Sequence, residues 1–310
     1  MKKKGLARLL VALMKILPNR FSLRDKSSVH NQPFFIFGSG RNGSTLLNVM
    51  LNQHSKIFLP PEQYFLGNSI IKYQLYNHIL WRDLIKIIYA ELIPETGSHS
   101  WKLRPDKIID EAFHFTGEQR TLENLIHHIY ISYADQLGEK PEIWGDTTPY
   151  NTQYLNEVYD LFPKAKYVFL LRDGRDVVAA YKKPDKKIIE ELSDPINSAK
   201  HWLGSIQKYQ WLKKRASVHM IKYEDLVENT EEQLKALLNF LGFDYENKTL
   251  EFHKNIPDIK EYREEHHENL FKPIQNNSIG QWESILTQEE KETVIPRLEK
   301  SLRQFDYLKS

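Results

Sequence analysis

Two clusters in this sequence have the residue types and spacing of an anion site. The first is Gly38-Ser39-Gly40-Arg41-Asn42-Gly43-Ser44-Thr45. Its glycines let the backbone turn tightly and aim N–H groups inward, and the helical run from Ser44 sets the positive end of a helix dipole behind them. The spacing is that of the phosphate loop G-x-x-x-x-G-K-[ST], with Ser44 in the lysine slot. In a nucleoside-triphosphate enzyme that lysine reaches the β- and γ-phosphates, so its absence argues against ordinary ATP chemistry. The loop reads as a phosphate or sulfate cradle with Arg41 as its cation. The alternative is a glycine-rich turn that only links a strand to a helix. The second cluster is Leu171-Arg172-Asp173-Gly174-Arg175-Asp176. Two arginines at the carboxyl end of a buried strand suit a phosphate, because ligands of open α/β sheets bind at that edge. A solvated, salt-bridged turn is the alternative there.

The elements that must position these clusters follow from hydrophobic pattern. The run 33–37 is nearly all apolar and ends at Gly38, which predicts a buried parallel strand followed by a helix from Ser44 to about Gln53. Residues 60–140 are aromatic-rich and mostly helical by pattern, with breaks near Pro94–Gly97 and at Arg104-Pro105. A short strand is expected over 142–145. Thr148-Pro149 starts a helix reaching about Phe162 by the proline-at-N1 rule. Lys166–Leu171 and Val218–Lys222 are the next strands, with helices over 199–214 and 230–241, the latter closed by Gly242. The tail from Thr287 is helical, with Glu290 at capping-box spacing. Strands alternating with helices predict an α/β fold with an open, mostly parallel sheet and flanking helices. No stretch reads as a linker, so the expected organisation is a basic extension over 1–30 and a single domain over 31–310.

Composition narrows the function classes. The 310 residues are 41% hydrophobic and 27% charged, an ordinary globular balance. With no cysteine, a disulfide framework, a cysteine-ligated metal and a thiol nucleophile are excluded. A net charge of +2 gives no general nucleic-acid footprint. The charge is uneven, because residues 1–30 hold eight Lys/Arg against Asp25 alone. Leu6, Leu9, Leu10, Leu13, Ile16 and Leu17 recur among those cations at helical spacing. The pattern fits peripheral contact with an anionic membrane and, equally, a terminal helix packed on its own domain. Arg8 and Lys15 bracket an apolar run too short to span a bilayer, and no signal-peptide cleavage site follows.

Four motifs in order resemble the sulfotransferases that use 3′-phosphoadenosine 5′-phosphosulfate (PAPS), most closely the tyrosylprotein-type and related bacterial enzymes. Gly40–Thr45 followed by Leu46-Leu47 is similar to their 5′-phosphosulfate loop. Arg172–Arg175 is similar to their 3′-phosphate segment, and Tyr223-Glu224-Asp225-Leu226 matches their next strand end. Gly280-Gln281-Trp282 is similar to a late G-x-W. The resemblance runs from about 33 to 307 and leaves 64–140 and the basic terminus unmatched. It implies a P-loop-like fold, transfer of a sulfuryl group to a hydroxyl of a glycan, lipid or other small acceptor, and no metal. It implies that Arg41, Asn42, Gly43, Ser44 and Thr45 hold the 5′-phosphosulfate and that Arg172 holds the 3′-phosphate. Tyr223 would lie near the adenosine and Ser278 would touch the phosphosulfate. Arg41 would also neutralise charge on the transferring group.

The acceptor must lose a proton, so a general base is expected. The resemblance points to Glu62, after Pro60-Pro61, with a one-residue insertion relative to the tyrosylprotein enzymes. His54 is the rival base, although its place in the first helix suits a structural role. Two departures stand out. Ala180 occupies the place of a phosphate-binding serine, for which Tyr181, Lys182 or Lys183 would compensate, and Thr147 occupies that of a lysine. The rival functions are a P-loop kinase or NTPase and a non-catalytic adenine-nucleotide scaffold. Glu264-Glu265-His266-His267-Glu268 lacks the HExxH spacing of a zinc site. Asn42-Gly43-Ser44 forms a glycosylation sequon inside the loop, which favours a cytoplasmic setting, peripheral to the inner membrane face if residues 1–30 bind lipid.

Overall fold

The computed structural model of the chain describes residues 5, 8, 10–11, 19–26, 31–92, 101, 103–182, 190–256 and 270–308. In chain order the main elements are β1 (Phe34–Phe37), α1 (Ser44–Leu51), β2 (Ile57–Phe58), α2 (Phe65–Tyr76), α3 (Trp81–Ala90), α4 (Pro105–Phe113) and α5 (Leu122–Gln136). They continue with β3 (Ile143–Asp146), α6 (Leu155–Leu161), β4 (Lys166–Leu171), α7 (Gly174–Lys182), α8 (Pro195–Lys213) and β5 (Val218–Lys222). The last are α9 (Tyr223–Glu228), α10 (Thr230–Leu241), α11 (Trp282–Ile285) and α12 (Gln288–Gln304). The protein is an α/β fold of parallel strands and flanking helices, as the alternating pattern requires. Its contacts group into two compact units, one of residues 1–33 and 55–165, the other of 34–54 and 166–310.

In the second unit, β4 lies between β1 and β5, both parallel to it. Phe34 pairs with Lys166 and Phe37 with Phe169, so β1 and β4 end close in register and their following loops leave from one edge. Continuous apolar runs form β1 and most of β4 because both faces are covered: Phe34, Ile36, Val168 and Phe169 are buried together with Leu47, Val177, Trp202 and Leu298, whereas in β5 only Ile221 is fully buried. Helix α8 starts at Pro195, four residues before the expected start. Asp194 caps it by accepting from Asn197 N at 2.9 Å, and proline suits the first helical position. Helix α12 has the expected capping box, with Thr287 Oγ1 accepting from Glu290 N and the Glu290 carboxylate accepting from Thr287 N. Gly242 closes α10 with φ 86°, as its position predicts.

The first unit pairs β2 with β3, also parallel. Its core is aromatic. The Tyr130 ring stacks on Trp144 at 3.9 Å and Trp101 stacks on Tyr133 at 4.5 Å. The segment after Thr148 differs from the expected single helix. It begins as a 3-10 turn over Pro149–Tyr154 and becomes α-helical only at Leu155. The Thr148 side chain does not cap this turn, and its hydroxyl accepts from Gln63 N at 3.1 Å. Residues 20–25 of the basic segment are bonded into this unit. Phe21 N donates to Asn77 Oδ1, the Tyr73 hydroxyl to Ser22 O, and Asp25 N to Glu123. Arg8 forms a two-pronged ion pair with Glu157, while Leu10 stays 44% exposed. No described helix is long and apolar enough to cross a membrane.

At the end of β3 the buried Asp146 carboxylate accepts from Thr148 N at 2.6 Å and from the Tyr130 hydroxyl. Burial raises its pKa, and those two hydrogen bonds pull it back. The native state therefore binds more protons than the unfolded chain above the unfolded pKa. This contribution to stability falls as pH rises through the native pKa. In Tyr130→Phe the restraining bond is gone, so that fall extends to higher pH. The variant should lose about 1–3 kcal/mol at neutral pH. Urea unfolding from pH 4 to 8 checks this, a constant difference across that range being the contrary result.

Candidate functional site

The glycine loop between β1 and α1 is folded by left-handed backbone at Gly40 (φ 71°), Arg41 (φ 51°) and Gly43 (φ 94°). Arginine adopts that conformation at a cost of about 1–2 kcal/mol. Its carbonyl is held there by Arg172 Nη1, which donates to it at 2.8 Å. Two more side chains fix the loop. Asn42 Nδ2 donates to Leu170 O at 2.8 Å, and the Tyr181 hydroxyl donates to Ser39 O at 2.7 Å. Gly38 is required by the same packing, since a Cβ there would stand 2.5 Å from the Leu170 carbonyl oxygen. Gly43 then opens α1 with no side-chain cap and no acidic residue in the first turn. The leading N–H groups of a helix have no intrahelical acceptor, so the loop presents an anion site.

Arg172, at the end of β4, joins three parts of this unit. Its two Nη atoms donate to the Arg41 and Ser278 carbonyls, and its guanidinium lies 4.7 Å from the centre of the Tyr223 ring. Tyr223 packs on the backbone of Gly43 so closely that a Cβ there would stand 2.5 Å from its Cδ2. Arg172 is buried, and its Nε finds no hydrogen-bond partner among the described residues. The same holds for Asn42 Oδ1. Buried unsatisfied polar atoms beside a preformed anion loop are what a polar ligand would complete.

Around Arg172 a network fixes the rest of the motif. Asp173 holds Arg175 through both carboxylate oxygens, and Glu224 accepts from Asp173 N at 2.9 Å. The Tyr307 hydroxyl donates to Glu224 at 2.7 Å, and the Arg175 guanidinium lies 4.3 Å from the centre of the Trp282 ring. Asp176 accepts from Gly280 N at 2.7 Å and from Trp282 N at 2.9 Å. Burial raises the pKa of both Asp176 and Glu224, and these hydrogen bonds act against the rise. Burial next to Glu224 raises the Tyr307 hydroxyl well above its ordinary value.

Of the residues singled out from sequence, Arg41, Asn42, Gly43, Ser44, Thr45, Arg172, Tyr223 and Ser278 all lie in the second unit. Glu62 and Thr147 belong to the first. Glu62 is half-buried on a segment pinned on both sides, with Trp101 Nε1 donating to Pro61 O at 2.8 Å and Gln63 N to Thr148. Thr147 is buried beside Asp146. The rival base His54 is buried just after α1, with its Nε2 2.9 Å from Asp244 O and its ring against Phe243. That is a structural tie. Near Ala180, Tyr181 reaches the loop, whereas Lys182 is paired with Glu290 at 2.6 Å. Lys183, the 264–268 cluster, Pro94–Gly97 and most of the N-terminal leucine stripe lie outside the described residues. Sequence reasoning missed Asp176, Glu224 and Tyr307 as supports. The first two sit inside quoted motifs and were readable as charges next to Arg172, but Tyr307 carries no local signal.

The chain belongs to the sulfotransferase family, whose profile matches residues 33–247. It is 27% identical over 228 residues to a putative protein-tyrosine sulfotransferase of Caenorhabditis briggsae, covering 73% of this chain and 70% of that protein. It is 22% identical over 252 residues to an uncharacterized protein of Aquifex aeolicus, covering 77% of this chain. The match spans only 29% of the Aquifex protein's length. Among solved structures, the sulfotransferase domain of the Synechococcus PCC 7002 olefin synthase shares the fold, with a TM-score of 0.58 and 20% identity. That match covers 91% of this chain and 97% of the domain.

The contact between Gly43 and Tyr223 gives a direct test. Gly43→Ala should destabilise the protein through both φ strain and displacement of the ring. In a Tyr223→Ala background only the strain, about 1–2 kcal/mol, should remain. Chemical denaturation of the four members of this cycle measures the difference, and equal costs in both backgrounds would refute the packing argument.

Proposed function

We propose that the protein transfers a sulfuryl group from PAPS to a hydroxyl of a glycan, lipid or other small acceptor. The observation that carries this reading is the joining of an uncapped phosphate loop to a buried arginine through the Arg41 carbonyl. The residues present fit the donor. Backbone N–H groups from Asn42 to Thr45, with the Ser44 and Thr45 hydroxyls, would receive the 5′-phosphosulfate. Arg172, with its unsatisfied Nε, would receive the 3′-phosphate. The Tyr223 ring would bound the adenosine. When bound, PAPS supplies an activated sulfuryl group whose bond to the 5′-phosphate oxygen breaks as the acceptor oxygen bonds to sulfur. Arg41 neutralises the charge that builds there, and Glu62 takes the acceptor's proton.

Calorimetric titration with 3′-phosphoadenosine 5′-phosphate (PAP), against ATP with Mg²⁺, tests the donor. Micromolar PAP binding, lost in Arg172→Ala and much weaker for ATP, is expected. A preference for ATP with Mg²⁺ would instead restore the kinase reading. Glu62→Gln should keep PAP affinity and lower transfer by about 10²–10⁴-fold. Unchanged turnover would remove Glu62 from the mechanism.

The reading extends to the basic segment, for which we propose peripheral contact with an anionic, cytoplasm-facing membrane. Its support is the cationic leucine-rich sequence and the exposure of Leu10. Because residues 20–25 are bonded into the first unit, truncation should stop at residue 18. The full chain should co-sediment with phosphatidylserine vesicles at low salt, and the truncated chain should not. Equal sedimentation would leave Arg8 and its neighbours as a purely intramolecular tie.

A further inference from the structure

We infer that Asp176 is a positioning residue for the 3′-phosphate site, and that it works by fastening the Ser278–Trp282 turn across Arg172. This rests on the PAPS reading above and adds to it the device that shapes the site.

The turn is closed locally by Ile279 N donating to Asn276 O at 3.0 Å and Glu283 N to Gly280 O at 3.2 Å, and its side-chain ties to α7 come from Asp176 and Arg175. It runs through Gly280 in left-handed conformation (φ 73°) and is half-exposed along Ser278–Trp282. Asp176 reaches it from the first turn of α7 and accepts two of its N–H groups, one per carboxylate oxygen, at 2.7 and 2.9 Å. Asp176 itself is buried, so its charge is committed to these bonds and to the nearby Arg172 guanidinium. Arg175, one residue before Asp176, lies over the Trp282 ring and holds the far end of the turn. The fastened turn then offers the Ser278 carbonyl to Arg172, and Arg41 offers a second carbonyl from the phosphate loop. The guanidinium is thereby oriented from two sides with Nε left over. Asp176 touches no ligand in this scheme. It sets where Arg172 points.

The sign of the expected effect separates this from simple electrostatics. Asp176 is an anion close to a site proposed for an anion. If it acted through charge alone, Asp176→Asn would tighten PAP binding by removing repulsion. If it positions Arg172, the substitution loosens the turn and weakens PAP, because an asparagine has one oxygen for two N–H groups. The effect should also be confined to the 3′-phosphate. Adenosine 5′-phosphosulfate (APS), which lacks that phosphate, should be nearly unaffected.

The experiment is calorimetric titration of wild-type protein, Asp176→Asn and Gly280→Ala with PAP and with APS. Melting temperatures are measured alongside. Gly280→Ala is the companion that changes no charge: a Cβ there meets nothing within 4 Å, so the substitution strains only the turn. Both variants should bind PAP about tenfold more weakly and bind APS within about twofold of wild type. Tighter or unchanged PAP binding in Asp176→Asn overturns the inference. So does an equal loss for both ligands, which would mark Asp176 as merely structural. A wild-type protein that does not prefer PAP to APS sinks the cofactor reading itself and this inference with it. That outcome is distinct from one in which wild type discriminates and the variants do so equally well.

Discussion

Arg172 is the constraint on which the second unit turns. A buried guanidinium is costly unless its donors are satisfied and its charge is balanced. Here the surroundings meet that cost in several ways. Two carbonyls accept from Nη1 and Nη2, the Tyr223 ring offers its face, and Asp176 lies near enough to pull against the charge. Even the Arg172 main chain is used, since its carbonyl accepts from Trp202 Nε1 at 2.9 Å. Each of these partners belongs to a different segment of the unit. Satisfying one cation therefore fixes the loop after β1, the turn near 280 and the start of α9 together, and the residue's main chain adds helix α8.

The same logic explains why the phosphate loop can carry a strained residue. Arg41 sits in left-handed backbone that glycine would adopt at no cost. The bond from Arg172 to its carbonyl, and the ties from Asn42 and Tyr181 on either side, over-determine the loop. A loop held this way by its own unit keeps its N–H groups aimed without a ligand, which lowers the ordering cost of binding one. The first unit is built on different physics. Its stacked aromatic rings enclose a buried carboxylate that two donors satisfy, and it carries the proposed base on a segment pinned through Pro61 and Gln63.

The sequence by itself determined the elements whose causes are local. Strands β1 and β4 were legible because continuous apolar runs between turn residues have few other outcomes in an α/β chain, and β5 was placed by its position in the alternation of strands and helices. The capping box at Thr287 and the Gly242 stop are signals only a few residues long, and they stand where the spacing put them. The loop from Gly38 to Thr45 was readable for the same reason, because its chemistry lies in one short stretch of backbone. Tertiary structure alone decided which distant groups complete that chemistry. Nothing local in Tyr307 says that it bonds to Glu224, or in Asp176 that it holds residues more than a hundred positions away. Nothing local in Thr148 likewise says that its hydroxyl accepts from Gln63 N, a partner 85 residues off. Local propensity is set by neighbours along the chain. The pairing of buried polar groups is set by which surfaces meet on folding, and that depends on the whole sequence at once.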